Sequence, residues 1–106
     1  MTAQFDGYRY ANPATRARIP YLLDVQSDLL DPLATRVVVP LCKPEVLKGK
    51  LAERFNPVFE VEGCKMAMLT PELAGVSRKI LGERIGNLSD ERSSIIAALD
   101  LLITGI

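Results

Sequence analysis

The chain has 106 residues, enough for one domain, and we expect a single domain over residues 1–106. Thirteen Lys and Arg balance thirteen Asp and Glu, so no overall positive charge is available to hold a phosphate backbone, and nonspecific nucleic-acid binding is not expected as the main role. The chain contains no His, which excludes imidazole general-base catalysis and His-ligated zinc sites.

The first half of the chain is predicted to form strands. Residues Phe5–Tyr10 place two tyrosines on one face and Arg9 on the other, which is the period of a half-buried strand. A second extended segment is predicted from Pro20 to Val25, and Asp28–Pro32 is predicted to be a turn.

A third strand is predicted over Arg36–Leu41, which is rich in valine. We expect Pro40 to end it, because proline lacks the N–H that the middle of a sheet requires. The mixed stretch Lys43–Ala52 is predicted to contain a short helical turn after Pro44.

Two further extended segments are predicted to form a hairpin. They are Pro57–Gly63 and Cys64–Leu69, and the turn is expected at Glu62 and Gly63. The weaker pattern of Val76–Ile85, with glycines around it, is predicted to be one more strand.

An amphipathic helix is predicted at the end of the chain. Ser89 is expected to cap it, and Asp90 and Glu91 favour the positive end of the helix dipole. Gly105 stands where a left-handed helix end is expected. The predicted core-facing stripe is Ile95, Ile96, Leu99, Leu102, Ile103 and Ile106. The predicted outward face is Ser93, Ala97, Asp100 and Thr104.

These elements predict a mainly β fold with added α structure: a small curled antiparallel β-barrel with a C-terminal α-helix. Cys42 and Cys64 have no close-spaced partner, so we expect two reduced, half-buried thiols. The N-terminal residues are too polar for a secretory signal, and no apolar stretch reaches the roughly 18 residues of a membrane span. We therefore expect a cytoplasmic protein without membrane contact.

Acidic side chains are the first candidates for chemistry. Asp24, Asp28 and Asp31 are close in sequence, and Glu60 and Glu62 share one face of a strand. Surface acids near turns are common, so we expect no catalytic residue, no metal and no other cofactor.

Apolar residues at positions of doubtful burial are more informative. Leu29 and Leu30 stand inside a predicted turn, and the chain ends in the apolar run 101–106 without a charged tail. The two leucines either plug the end of the barrel or form an exposed contact patch.

Several motifs resemble the CcdB toxins of toxin–antitoxin modules, and the resemblance runs from about Phe5 to the last residue. The motifs are Asp24-Val25-Gln26-Ser27-Asp28-Leu29-Leu30-Asp31, Arg36 with Val39-Pro40-Leu41, Asn56-Pro57, Met68 with Thr70, Asn87-Leu88-Ser89 and Gly105-Ile106. The first motif together with the terminal Gly-Ile is specific.

The resemblance implies the fold shared by CcdB and MazF-like toxins, a homodimer as the working unit, and no enzyme activity. It implies binding to the DNA gyrase A subunit and trapping of gyrase while its DNA is cleaved. It also implies neutralisation by a CcdA-like antitoxin, whose complex with the toxin represses the operon, so operator DNA would be reached only through that complex.

The family's gyrase-contacting positions fall on Leu29, Leu30, Asp100, Thr104, Gly105 and Ile106. The chain departs from the family pattern at two of them. Thr104 stands where a plasmid-borne member has Trp, which implies weaker binding because aromatic anchors are typical hot spots. Asp100 replaces a neutral amide.

Two alternatives remain open at this point. A MazF-like endoribonuclease requires an arginine and an acid or hydroxyl aimed at the scissile phosphate, and the candidates are Arg16 or Arg18 with Asp24. The other alternative is a non-toxic homologue that binds an antitoxin and contributes only to autoregulation.

Overall fold

The computed structural model describes residues 3–10, 12, 14, 17–49 and 54–105. In this part of the chain, a 7-stranded antiparallel sheet is followed by one α-helix, which confirms the predicted fold class. The strands are β1 (Asp6–Tyr10), β2 (Tyr21–Asp24), β3 (Thr35–Cys42), β4 (Val58–Val61), β5 (Cys64–Met68), β6 (Ala74–Ser77) and β7 (Leu81–Asn87), and the helix is α1 (Arg92–Thr104). Short 3₁₀ turns lie at Asp28–Leu30, Pro44–Leu47, Thr70–Glu72, Arg78–Ile80 and Ser89–Glu91.

The sheet curls into a half-barrel whose two edges are bridged by side chains. Its strand order is β4-β5-β3-β2-β1-β7, with β6 paired to the first part of β3. Glu62, in the turn after β4, accepts hydrogen bonds from the Tyr21 hydroxyl at 2.5 Å and from Arg9 Nη2 at 2.7 Å. Arg9 Nε donates to Glu83 of β7 at 3.0 Å. These contacts hold the two edges of the sheet toward one another.

Both faces of the sheet are covered, which explains why β2 and β3 lack the alternation of a half-buried strand. Leu23 and Val39 belong to the main core, which includes Ile95 and other residues of α1. Their neighbours Leu22 and Val38 belong to a second cluster on the opposite face.

Pro40 lies inside β3, so the prediction that it ends the strand is wrong. Pro40 pairs with Leu22 on one side, and on the other side its carbonyl accepts the Leu69 N–H at 2.9 Å. The N and O of a residue in an antiparallel strand point to the same neighbour. The proline nitrogen therefore faces the stretch where the partner of β3 changes from β6 to β5, and the missing N–H interrupts no ladder.

The prediction for Val76–Ile85 is also wrong, because this stretch forms the end of β6, a 3₁₀ turn and the start of β7. The Ser77 hydroxyl accepts the Lys79 N–H at 3.2 Å and caps the turn that separates the strands. The predicted hairpin at Glu62 and Gly63 is confirmed. Both residues have positive φ (51° and 80°), as a type I′ turn requires.

The helix begins later than predicted, and Ser89 does not cap it. A 3₁₀ turn at Ser89–Glu91 comes first, and the side chain of Asn87 accepts the Ser89 N–H at 2.8 Å. In the core-facing stripe, Ile95 is fully buried but Ile103 is 74% exposed. The buried residues of α1 are Ile95 and Ala98. Ala98 was not part of the predicted stripe, so the buried face is rotated away from Ile103, whereas Leu102 of the same turn is half-buried.

The two cysteines differ from the prediction of two half-buried thiols. Cys42 is fully buried and burial raises the pKa of its thiol, whereas Cys64 is exposed. Cys64 lies in the first position of β5, directly after the hairpin turn, where the side chain points away from the core. Both thiols are free.

Candidate functional site

The turn between β2 and β3 presents three leucines to solvent, Leu29, Leu30 and Leu33, and is called the leucine turn below. Leu29 is 90% exposed, and Leu30 and Leu33 are each 49% exposed. The Ser27 hydroxyl caps the turn by accepting the Leu29 N–H at 3.2 Å. Leu29 and Leu30 therefore do not plug the end of the barrel. Three exposed apolar side chains on one ordered turn form a candidate contact surface, whereas single exposed apolar residues are common.

The first half of this turn is fixed by hydrogen bonds to more distant residues. Asp28 Oδ1 accepts the backbone N–H of Gln4 at 2.7 Å. The side-chain amide of Gln26 donates to the Leu30 carbonyl at 3.1 Å, and its oxygen accepts the Val37 N–H at 3.0 Å. Gln26 therefore ties the turn to the neighbouring strand.

A buried ion pair lies directly beneath the turn. The side chains of Asp24 and Arg36 are both 0% exposed, and Arg36 donates to the two Asp24 oxygens at 2.8 and 3.0 Å. Arg36 also donates to the Gln26 carbonyl at 3.4 Å and to Asp31 Oδ1 at 3.3 Å. Burial raises the pKa of the Asp24 carboxyl, against the opposing effect of the hydrogen bonds from Arg36.

The last turn of α1 presents the second group of predicted contact residues. Asp100, Thr104 and Gly105 are all exposed. The Thr104 hydroxyl donates to the Asp100 carbonyl at 2.7 Å. Gly105 has φ 76°, its N–H donates to the Leu101 carbonyl at 3.0 Å, and a Cβ added to it would meet nothing within 4 Å. The predicted left-handed helix end is confirmed, and Ile106 lies outside the described residues.

Two exposed apolar residues were missed by the sequence analysis as contact candidates. Leu33 extends the exposed surface of Leu29 and Leu30, and Ile103 adds an apolar side chain to the last helical turn. Leu33 directly follows Asp31 and Pro32, which are typical turn residues, so its position in the sequence could have indicated an exposed leucine. Ile103 lies in the apolar run 101–106, whose burial was doubtful from the sequence, but it was assigned to the core-facing stripe.

The two groups of predicted contact residues lie on different elements. Leu29 and Leu30 belong to the connection between β2 and β3, whereas Asp100, Thr104 and Gly105 lie at the end of α1, which packs in the main core through Ile95 and Ala98. The structure of the single chain thus has two exposed apolar ends.

The arginine and acid expected for an endoribonuclease are not brought together. Arg18 borders a groove with Val46, Leu47 and Lys48, which follow the end of β3. Asp24 lies at the opposite end of β2, opposite Val38, and is paired with Arg36. Arg16 lies outside the described residues.

The acidic candidates of the β4–β5 hairpin lie beside polar or basic side chains, and Glu62 bonds to Tyr21 and Arg9 as described above. Glu60 stands opposite Lys65 across the β4–β5 ladder. Within the described ranges, no group of three or more His, Cys, Asp or Glu side chains is arranged to hold a metal ion. In the same ranges, no helix has the length and apolarity needed to cross a membrane.

Residues 4–105 match the family model described as CcdB protein. The matched span contains the leucine turn, the buried ion pair and the last turn of α1 through Gly105.

Proposed function

This chain belongs to the CcdB family of toxins from toxin–antitoxin systems, and we propose that it poisons DNA gyrase by binding the gyrase A subunit. In this proposal, the toxin traps gyrase while its DNA is cleaved, and it acts by binding rather than as an enzyme. The contact residues are Leu29, Leu30, Asp100, Thr104, Gly105 and Ile106.

The observation that carries the proposal is the exposure of Leu29, 90%, on a turn fixed by hydrogen bonds. Burying one leucine against a partner contributes about 1.5–3 kcal/mol. A turn that is ordered before binding loses little conformational entropy in the complex, so more of that contribution appears as affinity.

The end of α1 supplies the second contact. Gly105 directs the chain out of the helix through a left-handed conformation, and Ile106 follows as an apolar terminal residue. A homodimer would carry two such ends, which matches a twofold-symmetric target. Thr104 offers less contact area than an aromatic residue, so we expect weaker gyrase binding than in members with Trp at this position.

A CcdA-like antitoxin is the proposed regulator of this cytoplasmic toxin. The toxin has a formal charge of zero, so affinity for operator DNA is expected to come from the antitoxin partner in the complex. The complex would repress the operon from which both proteins are made.

The test is a gyrase reaction on supercoiled plasmid with ATP, in which linear plasmid should accumulate when the protein is present. Gly105→Arg should abolish the linear product, because it forces a side chain into a left-handed conformation at the contact. Gly49→Arg is the matched control: Gly49 has φ 78°, and a Cβ added there would also meet nothing within 4 Å.

The two variants share the same backbone strain and the same added charge, so they differ only in position. We expect Gly49→Arg to produce linear plasmid as the parent does. Absence of linear plasmid with the parent, together with no association with the gyrase A subunit at high protein excess, would show that gyrase is not the target. Equal poisoning by both variants would show that Gly105 is outside the contact.

A further inference from the structure

Two arginine side chains hold the second half of the turn between β2 and β3: Arg36 from beneath it, and Arg78 from a distant element. Arg78 lies in the 3₁₀ turn between β6 and β7. Its Nε donates to the Leu33 carbonyl at 3.0 Å, and its Nη2 donates to the backbone carbonyl of Asp31 and to Asp31 Oδ1. Its backbone N–H also reaches the Ala34 carbonyl, at 3.4 Å. One residue therefore holds a stretch that is 45 to 47 positions away in sequence.

The backbone N–H groups of the stretch that Arg78 holds make short local bonds. The N–H groups of Leu30, Asp31 and Leu33 donate to carbonyls three residues earlier, at 3.0–3.1 Å. Single 3₁₀ turns of this kind are weak alone, since runs of such bonds are short and their geometry is poor. Long-range bonds therefore add to the order of the turn, and Arg78 supplies those made to the Asp31 and Leu33 carbonyls.

Arg36 and Arg78 both reach the Asp31 carboxylate, but their surroundings differ. Arg36 is 0% exposed and belongs to the core beneath the turn, whereas the Arg78 side chain is 31% exposed. Removal of Arg36 leaves a buried carboxylate without its partner. Removal of Arg78 exposes backbone carbonyls that water can reach, so the fold is expected to survive it.

We infer that Arg78 is a positioning residue for target binding: it fixes the second half of the turn, from Asp31 to Leu33, and so holds the exposed leucines together in the arrangement that the partner contacts. The inference rests on the proposed function for the identity of the partner. Without Arg78 the turn samples several arrangements, and the apparent affinity falls in proportion to the fraction of molecules whose turn is in the arrangement that binds the partner. The leucines still make their contacts once bound, so the main effect is on the association rate.

The experiment compares Arg78→Met with Lys79→Met, its neighbour in the same turn. Both variants lose one positive charge, so a difference between them is not an effect of charge on encounter with the target. Amide hydrogen exchange of the free protein is measured first, followed by association and dissociation rates with the purified gyrase A subunit.

We expect Arg78→Met to speed exchange at the amides of Leu30, Asp31 and Leu33 by about tenfold or more, with the amides of β2 and β3 unchanged. The association rate should fall by about tenfold, with a small change in the dissociation rate. Lys79→Met should match the parent in both measurements. Arg78→Lys should lie between parent and Arg78→Met, because an ammonium group lacks the guanidinium fork.

Unchanged exchange in the turn of Arg78→Met would overturn the inference, as would faster exchange combined with parental association rates. Faster exchange across the whole sheet would also overturn it, since that result indicates a general loss of stability. If the parent does not bind the gyrase A subunit, the proposed function is wrong, and the exchange data alone then decide whether Arg78 orders the turn.

Discussion

Replacing Arg36 by methionine tests the energetics of the buried ion pair beneath the leucine turn. Methionine fills part of the volume but removes every donor, so the Asp24 carboxylate keeps the Gln26 N–H, at 3.0 Å, and loses both bonds from Arg36. Breaking one partner out of a buried pair costs about 3–5 kcal/mol. A domain of this size has about 5–15 kcal/mol of stability in total. We expect a folded but much weakened variant, with the Tm lower by on the order of 15 °C.

The cost should depend on pH in a direction that identifies its cause. Burial raises the pKa of the Asp24 carboxyl, and in Arg36→Met no guanidinium opposes that effect. A carboxyl whose folded pKa exceeds its unfolded value binds more protons in the folded state, so the variant is penalised fully at pH 7. As the pH falls toward 4, Asp24 takes up a proton, and the difference in unfolding free energy between the variant and the parent should become smaller.

The assay is urea unfolding followed by circular dichroism at pH 7 and at pH 4.5. Arg9→Met is the control for an ion pair near the surface, because the Arg9 side chain is 48% exposed, and it should cost less than about 1 kcal/mol. Adding Asp24→Asn to Arg36→Met should remove the pH dependence of that difference. A cost of Arg36→Met no greater than that of Arg9→Met, or a cost equal at both pH values, would show that the buried ion pair does not act in this way.

Three further predictions concern the sheet, a buried tyrosine and the helix. Gly82→Ala should cost about 1–3 kcal/mol of unfolding free energy in urea titrations, because a Cβ there lies 2.6 Å from a backbone carbonyl of β1, whereas Gly75→Ala, with open space, should stay within about 0.5 kcal/mol. Burial and an adjacent carboxylate raise the pKa of Tyr8 to about 12, so the stability that this hydroxyl contributes is complete below pH 10 and is lost as the pH rises toward 12. Over that range the free energy of unfolding of the parent should fall by about 2 kcal/mol more than that of Tyr8→Phe, and equal falls in the two proteins would contradict the prediction. Circular dichroism should show no cooperative unfolding for Ile95→Asp, because that side chain is 0% exposed, and an almost unchanged Tm for Ile103→Asp, because that side chain is 74% exposed. Equal effects of the two substitutions would show that the helix is placed wrongly.

The parts of the fold that sequence could predict are those set by local chemistry. The hairpin followed from Glu62 and Gly63, since a two-residue turn between strands needs positive φ at both positions. The left-handed helix end followed from Gly105 for the same reason. Pro40 was misjudged because the rule for proline assumes one partner strand on each side, whereas β3 changes partner at that point.

Features set by distant contacts could not be predicted from local patterns. The exposure of Ile103 follows from a buried face that contains Ile95 and Ala98, and the small Ala98 gave no strong apolar signal for that face. The pairing of Arg36 with Asp24 joins residues 12 positions apart, and the contact of Arg78 with Asp31 joins residues 47 apart. No local periodicity shows that these residues are in contact, so the support of the leucine turn became visible only in the structure.

The buried ion pair is better explained by the conformation of the turn than by stability alone. Two apolar side chains of similar volume would fill the same space, and such replacements in other proteins are often neutral or stabilising. They would, however, leave the Gln26 carbonyl and the Asp31 carboxylate without the donor that Arg36 supplies on both sides of the turn. Arg36 therefore fixes both ends of a segment whose leucines cannot anchor it, because they face solvent. The buried Arg36 thus keeps the exposed leucine turn ordered through its bonds to Gln26 and Asp31.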